Sequence, residues 1–357
     1  ISACLVGSEM CIRDRVVTDW GYLRFQRNWR QRVVDSAPCP VATVETETVI
    51  PVETVSGKEE YAAATIRPKI GRRLADFLVD LPLPDISRRT AEQKMPGLSL
   101  RKDPADLLAS LRIDRSVGPV PAFRGGASHA RLRLDTFIAR HLKDYHRLRS
   151  DPGLDISSQL SPYLHFGQVS PLEIALCIGK APGIPVEAKQ VYLEELIVRR
   201  ELSMNFVHFN ERYDRFDALP AWAQKTLAKH AGDPRPYLYA RKALEEGQTH
   251  DPYWNAAQRE MILTGKMHNY MRMYWGKKII EWSGTPEEAW QTALYLNNRY
   301  QLDGRDANSF AGVAWCFGKH DRPWAERPVF GTIRYMNSAG LARKFNMKRY
   351  LDRVAGG

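Results

Sequence analysis

The stretch of sequence that decides the fold lies between residues 251 and 306. It reads DPYWNAAQREMILTGKMHNYMRMYWGKKIIEW over 251–282 and YLNNRYQLDGRD over 295–306. The apolar spacing of the first segment predicts one long helix over 255–282. Trp275 and Trp282 are seven residues apart on it, about 10 Å along one face, and Trp254 stands near its start. The polar residues that accompany them predict a site for a polar, planar group: Arg272, Asn297, Asn298, Asp303, Arg305 and Asp306.

The chain has 357 residues, of which 44% are hydrophobic, so two or three globular domains are expected. Its formal net charge of +11 favours a polyanionic partner, nucleic acid before an acidic membrane, and a generally basic surface is the plainer alternative. No apolar run reaches the roughly 18 residues of a membrane helix, and no signal segment opens the chain. We expect an intracellular protein with no membrane partner, cytoplasmic or, in a eukaryote, nuclear.

The five cysteines, at positions 4, 11, 39, 177 and 316, are scattered along the chain. No Cys-x-x-Cys pair and no histidine cluster at zinc spacing accompanies them. Reduced thiols and no bound metal are therefore expected.

The N-terminal region has the pattern of part of an α/β domain. Residues 1–15 do not join naturally to the residues after them, so we interpret them as a non-native leader. Over 16–80 strand and helix patterns alternate as VVTDW, YLRFQRNWRQRVVDSA, PVATVET, TVIPVE and KEEYAAATIRPKIGRRLADFL. This alternation predicts βαβ units, and because few strands are present we expect only a partial Rossmann-like sheet. No Gly-x-Gly-x-x-Gly fingerprint follows a strand.

The remainder of the chain has mainly helical patterns. Residues 81–126 are rich in Pro, Gly and charge and are interpreted as an interdomain linker. Beyond them a large all-α domain is predicted over 127–357. Its amphipathic helices are predicted at 129–149, 171–180, 187–208, 219–230, 238–247, 255–282, 286–299 and 339–355.

A loop at 157–167, SSQLSPYLHFG, places three hydroxyls and an amide before a helix that begins near Pro162. Free backbone N–H groups and hydroxyls at a helix start suit a phosphate group. An ordinary capping loop would explain a Ser-x-x-Ser pair alone. The full run is less easily explained without a ligand.

The run SQLSPYLHFGQ, together with YLEELIVRRELSMNF, DPYWNAAQREM, GKMHNYMRMYWGKKIIEW, YLNNRYQLDGRD and ERPVFGTIRYMN, resembles the class II cyclobutane pyrimidine dimer photolyases of the photolyase/cryptochrome family. The resemblance extends from Val16 to the C-terminus. It implies an N-terminal α/β antenna domain, truncated here, and a helical domain that holds a U-shaped flavin adenine dinucleotide (FAD), reduced in the active state. It also implies light-driven repair of UV-damaged DNA that contains cyclobutane pyrimidine dimers.

The resemblance assigns residues to the cofactor. Asn297 resembles the asparagine near flavin N5, with Asn298 and Asn308 left open as alternatives, and an amide there has no readily transferred proton. Arg272 and Asp303 resemble a salt bridge that sets the charge felt by the ring. An antenna chromophore is left open because part of its site would lie upstream. The other residues implied to bind FAD are Tyr145, Ser157, Ser158, Gln159, Leu160, Ser161, Arg200, Gly304 and Arg305.

The resemblance also makes the three tryptophans an electron-transfer chain. In that chain Trp275 is nearest the flavin, Trp254 is intermediate and Trp282 is the exit. Aromatic residues at helical spacing are usually core residues, so spacing alone would favour the core interpretation.

Four residues resemble the family's contacts to damaged DNA. Glu195 matches the carboxylate that hydrogen-bonds the dimer, and Met273 and Trp315 match apolar walls around it. Arg149 matches a residue that enters the gap left in the duplex, with a solvated arginine at a helix end as the alternative. The implied partner is DNA, and we expect a monomer.

Two other functions compete with repair. A cryptochrome-like blue-light receptor would share the fold and the flavin, but Glu195, Met273 and Trp315 argue against it. A helical nucleic-acid-binding module without a cofactor would be colourless when purified, so a flavin absorption spectrum distinguishes it.

Overall fold

The N-terminal part of the protein contains a small parallel sheet. The computed structural model describes residues 15–82 and 103–356. Strand β1 (Val16–Asp19) pairs in parallel with strand β2 (Val41–Val44). Helix α1 (Arg24–Ser36) connects them, which confirms the predicted strand–helix–strand order. Within the described ranges the sheet has two strands, so the Rossmann-like antenna domain stays a prediction.

The predicted strand TVIPVE is wrong, because residues 47–50 are bends and helix α2 (Val52–Val55) follows them. The backbone N–H groups of Val49 and Ile50 both donate to Glu201 Oε1, at 2.9 and 3.2 Å. Val52 and Val55 are buried. A buried carboxylate and side-chain packing therefore outweigh the β propensity of valine and isoleucine here.

The described chain from residue 63 onward is mainly helical. Its first part contains α3 (Ala63–Phe77), α4 (Pro104–Ala109), α5 (Ala127–Arg140), α6 (Leu142–Leu148), α7 (Ser161–His165), α8 (Pro171–Lys180), α9 (Val186–Leu193), a π-helical turn (Glu194–Arg199) and α10 (Arg200–Phe209). Its second part contains a 3₁₀ turn (Phe216–Ala218), α11 (Ala221–Lys229), α12 (Arg241–Glu245), α13 (Pro252–Thr264), α14 (Asn269–Trp282), α15 (Pro286–Tyr300), α16 (Ala307–Cys316), α17 (Ser338–Lys344) and α18 (Met347–Ala355).

The single helix predicted over 255–282 is wrong, because the chain forms α13 and α14 with a break between them. Gly265 ends α13 in the left-handed conformation, with φ 69°, and its N–H donates to the carbonyl of Met261. His268 begins α14, where its Nδ1 accepts the N–H of Tyr270 at 3.2 Å. The apolar pattern continues across both helices, so periodicity alone concealed the break.

The chain divides into two compact units. One comprises the residues up to Thr46 with Val79–Pro119, and the other, here called the helical unit, comprises Glu47–Leu78 and Val120–Gly357. This division differs from the predicted boundary at residue 80, because Ile66 and Ile70 belong to the same buried core as Phe137. The predicted leader and residues 83–102 of the predicted linker lie outside the described ranges. Over the described ranges, no helix combines the length and the apolar character that crossing a membrane requires.

Candidate functional site

A cavity of about 600 Å³ lies in the helical unit. Its walls come from the loop at 157–161, from α9, the π-helical turn and α10, from the break between α13 and α14, and from α16. It collects most of the residues assigned from the sequence to the cofactor or to DNA: Tyr145, Arg149, Ser157, Ser158, Gln159, Leu160, Ser161, Glu195, Arg200, Arg272, Asp303 and Trp315.

The three candidate asparagines occupy different places. Asn297 is fully buried, and its Oδ1 accepts a hydrogen bond from Gln301 Nε2 at 2.8 Å while its Nδ2 donates to Ser309 Oγ. Asn298 Oδ1 accepts from the Asn297 amide at 3.1 Å. Asn308 is the one of the three that lines the cavity. Of the three, Asn308 is therefore the amide at the cavity wall, whereas Asn297 is hydrogen-bonded within the protein.

Three further assigned residues, all within the described ranges, do not line the cavity. Met273 is half-buried on α14. The backbone N–H of Arg305, which has φ 61°, donates to Asn298 Oδ1 at 3.1 Å. A Cβ on Gly304 would lie 2.8 Å from the carbonyl oxygen of Gln301. Backbone packing therefore accounts for this glycine without a ligand contact.

Charges concentrate around Asp303 in the cavity wall. Burial raises the pKa of Asp303. The charges of Arg272 and Lys266 and a hydrogen bond with Ser161 lower the pKa by more than burial raises it, so it lies below the usual value. Lys266 Nζ donates to Ser161 Oγ at 2.8 Å. Burial lowers the pKa of this ammonium group, and the charge of Asp303 opposes that effect. The site thus holds an ionised carboxylate among cations.

The predicted salt bridge between Arg272 and Asp303 is not formed, although both residues are described. Arg272 Nε, Asp303 Oδ1 and His320 Nε2 are instead buried without hydrogen-bond partners, and all three side chains line the cavity. A buried polar atom without a partner costs on the order of 1–3 kcal/mol. These atoms fit a polar ligand that would supply the missing hydrogen bonds.

Three cations near the cavity were not predicted from the sequence. Lys266 follows the helix break, and Gly265 was the signal that could have located it. Arg133 donates to the Gln159 side chain of the loop, and Arg353 Nη2 donates to Glu260 Oε1 at 2.6 Å. Neither arginine has a local sequence signal, because each reaches the cavity through the packing of its helix.

Arg149 and Glu195, assigned to different parts of damaged DNA, pair with each other. Arg149 Nη1 lies 2.8 Å from Glu195 Oε1, and the two side chains are 35% and 32% exposed. Burial, followed by the charge of Glu195, raises the pKa of Tyr145 to about 12, so its hydroxyl stays protonated. The two side chains that the sequence assigned to damaged DNA are therefore bonded to each other in this structure.

The three tryptophans form one contiguous row, and each is at most 1% exposed. The ring centroid of Trp254 lies 6.4 Å from that of Trp275, with the rings nearly parallel, and 5.6 Å from that of Trp282. Trp254 Nε1 donates to the carbonyl of Trp275 at 3.0 Å, and Trp275 Nε1 donates to Gln258 Oε1 at 2.9 Å. Trp254 therefore lies between Trp275 and Trp282, which is the intermediate position that the sequence assigned to it.

The fold is similar to those of solved photolyase and cryptochrome structures. A class III photolyase from Agrobacterium tumefaciens superposes with a TM-score of 0.65 at 18% identity, covering 96% of this chain and 68% of its own. A cryptochrome from Synechocystis superposes with a TM-score of 0.66 at 17% identity, covering 95% and 68%. The largely helical architecture is therefore the photolyase/cryptochrome fold.

Sequence relatives define the family more narrowly, although no protein-family model matches the chain. A deoxyribodipyrimidine photo-lyase of Methanothermobacter thermautotrophicus is 51% identical over 95% of this chain and 74% of its own length. The enzymes of that name from Arabidopsis thaliana and Potorous tridactylus are each 41% identical, covering 96% and 95% of this chain and 71% and 64% of their own lengths. The chain belongs to the deoxyribodipyrimidine photo-lyases of the photolyase/cryptochrome family.

Proposed function

We propose that this protein is a class II photolyase, which repairs cyclobutane pyrimidine dimers in DNA by light-driven electron transfer. The observation that carries the proposal is one cavity lined both by the phosphate-type loop at 157–161 and by Glu195 and Trp315, the residues assigned to the substrate. Reduced FAD, when bound and excited by blue light, supplies the electron that opens the cyclobutane ring. The photo-lyase relatives support the same reaction.

The residues of the cavity wall would divide the binding of FAD between them. The hydroxyls and N–H groups at 157–161, with the Lys266 ammonium bonded to Ser161, suit the diphosphate. The positive charge of Arg272 would stabilise negative charge on a bound ring. Asp303 has a lowered pKa and stays ionised, so its negative charge would oppose that stabilisation. Asn308 would offer hydrogen bonds to a bound ring, and its amide has no readily transferred proton.

The substrate would occupy the Glu195 side of the cavity. Photolyases are among the enzymes that extrude the target nucleotides from the duplex, and the damaged pair is the cheapest to unstack. The guanidinium of Arg199 lies 5.4 Å from the ring centroid of Trp315. Aromatic and cationic surfaces of this kind bind extruded bases by stacking. Glu195 would accept hydrogen bonds from a base edge, and Arg149 would fill the gap in the duplex.

The spectrum and the repair activity of the purified protein test the proposal. We expect a bound flavin and, under blue light, recovery of thymine absorbance in dimer-containing DNA by the reduced protein. A colourless preparation that takes up no FAD would refute the flavoprotein assignment. Flavin binding without repair would instead indicate a cryptochrome-like receptor. Binding to DNA should weaken steeply with salt, because phosphate contacts release counterions.

Substitution of Trp275 tests the electron-transfer chain. Trp275→Phe should strongly slow light-driven reduction of the oxidised flavin and spare repair by chemically reduced enzyme, because only the first process draws electrons through the row. Trp290→Phe is the matched control, since Trp290 is also buried, at 3% exposure, and is not part of the row. Unchanged photoreduction in Trp275→Phe would count against the chain.

The finer assignments of fold and partners belong to the same proposal. Strands β1 and β2 with α1 would be part of a Rossmann-like antenna domain, and a second chromophore in the absorption spectrum would support that role. We propose a monomer, which sedimentation equilibrium checks, and an intracellular location.

A further inference from the structure

Trp282, the predicted exit of the electron-transfer chain, does not reach solvent. Its side chain is 1% exposed. Two rings cover it, Tyr239 with centroids 5.4 Å apart and His250 with centroids 5.2 Å apart, both in edge-to-face contact. The Tyr239 N–H donates to the carbonyl of Trp282 at 3.1 Å, which holds the tyrosine over the end of α14. These two rings therefore offer a path for an electron between Trp282 and the protein surface.

Tyr239 and His250 are joined by two hydrogen bonds. The backbone N–H of His250 donates to Tyr239 Oη at 3.0 Å. Tyr239 Oη also lies 2.7 Å from His250 Nδ1. The phenol oxygen accepts the backbone N–H, and its own proton is placed to bond Nδ1 in the imidazole tautomer that carries its hydrogen on Nε2. His250 itself is exposed, so a proton taken up by its ring can pass to water.

We infer that Tyr239 is the terminal electron donor of the tryptophan row and that His250 takes up its proton. When the row is oxidised from the flavin end, the positive hole reaches Trp282 by way of Trp275 and Trp254. Tyr239 then gives one electron to Trp282, which returns to the neutral indole, and its phenolic proton moves to His250 Nδ1. The products are a neutral tyrosyl radical and an imidazolium, so charge and atoms balance.

The charges around Trp282 favour this onward step. Lys278 Nζ lies 5.6 Å from the Trp282 ring centroid, and its side chain is only 9% exposed. A nearby ammonium group disfavours a cation on the indole, even though Glu281 pairs with it at 2.5 Å. After the step the positive charge lies on the exposed His250 ring and no longer on the indole. Transfer to Tyr239 also moves the hole to a half-buried ring, nearer solvent.

The chain supplies a matched control for this inference. Tyr237 is 47% exposed and stacks on His250 with ring centroids 3.8 Å apart, so it is a second tyrosine at the same surface. The described contacts of Tyr237 are ring contacts with His250 and Tyr239, without a hydrogen bond to either ring. Tyr239 and Tyr237 therefore differ in access to a proton acceptor.

The inference rests on the proposed function, and the radical left on the protein after a laser flash tests it. In the flavin-loaded protein, transient absorption and electron paramagnetic resonance should show a tyrosyl radical. Tyr239→Phe and His250→Phe should both lose it and leave a tryptophanyl radical, whereas Tyr237→Phe should retain it. Circular dichroism checks that each variant is folded. In the protein without cofactor, ¹⁵N NMR should show His250 with its hydrogen on Nε2, a pattern altered by Tyr239→Phe.

The two hypotheses fail in different ways. A tryptophanyl radical in the unsubstituted protein, a tyrosyl radical that survives Tyr239→Phe, or a hydrogen on Nδ1 of His250 would overturn the inference and leave the photolyase proposal intact. A protein that binds no flavin, or is not photoreduced, would overturn the proposed function and this inference with it.

Discussion

The ion pair between Arg149 and Glu195 leads to the sharpest prediction about DNA recognition. The two groups lie 2.8 Å apart and are each about one-third exposed, at 35% and 32%. A pair of this exposure stabilises its closed arrangement by only about 0.2–1 kcal/mol. Freeing Arg149 is therefore worth at most about a 5-fold change in affinity. A hydrogen bond that a charged carboxylate accepts from the dimer is worth about 1.5–3 kcal/mol, which is larger.

Glu195→Gln should therefore change the two kinds of DNA binding in opposite directions. Affinity for undamaged duplex should rise by up to about 5-fold, because the ion pair and a negative charge near phosphate are both removed. Preference for duplex with one cyclobutane dimer should fall by about 5- to 10-fold, because a neutral amide acceptor replaces a charged one and its hydrogen bond is weaker by about 1–1.5 kcal/mol. Fluorescence anisotropy with otherwise identical duplexes, at one fixed salt concentration, measures both dissociation constants.

Glu194→Gln is the matched control for this substitution. It removes the same charge one residue away, where Glu194 pairs with Arg67 at 2.7 Å and with Arg199 at 3.5 Å. The Glu194 side chain does not line the cavity, as judged from the described residues. The reasoning is refuted if Glu195→Gln keeps the original preference for damaged DNA, or if Glu194→Gln loses as much of it.

Two further predictions concern stability. Gly265→Ala should lower the free energy of unfolding by more than Gly183→Ala does. Both glycines have a positive φ, 69° and 67°, and this backbone conformation costs an L-residue about 1–2 kcal/mol. Only Gly265→Ala also places a Cβ 2.6 Å from Leu302 Cγ. Urea titrations measure both free energies of unfolding, and equal losses in the two variants would contradict this steric clash. Stability should also fall as pH is lowered from about 6.5 to about 4, because burial lowers the pKa of both His268 and His320 to about 4. In that window the unfolded chain binds more protons than the native one, so a His320→Gln variant should show a shallower decline in midpoint denaturant concentration; an unchanged slope would contradict this.

Local chemistry made part of the site predictable. The loop at 157–161 lines the cavity as expected, because hydroxyls and free N–H groups at a helix start are visible in sequence. The tryptophans were a different case, since their spacing indicated only burial, which is what they have. Their arrangement as a row depends on Trp254 crossing to α14, where its Nε1 reaches the carbonyl of Trp275 at 3.0 Å. That contact is tertiary and has no local signal.

Packing determined what the sequence could not predict. The segment at 47–55 contains strand-forming residues, but it forms bends and a short helix because Glu201, about 150 positions away, accepts two of its N–H groups. Helix α16 was missed because its small residues have weak periodicity. One local signal was available, since Asp306 caps that helix by accepting the N–H of Asn308 at 2.8 Å. That cap would have placed Asn308 at the start of a helix.

The break at Gly265 explains why the charged centre of the cavity could not be derived from helical spacing. The N–H of Leu302 donates to the carbonyl of Gly265 at 2.8 Å, so the break is tied to the loop that carries Asp303. The next residue after the break, Lys266, reaches Ser161 at 2.8 Å, and its charge lowers the pKa of Asp303. A continuous helix would keep residue 265 in helical geometry and lose this contact. One glycine in the left-handed conformation therefore brings the cation, the loop hydroxyl and the carboxylate into the same wall.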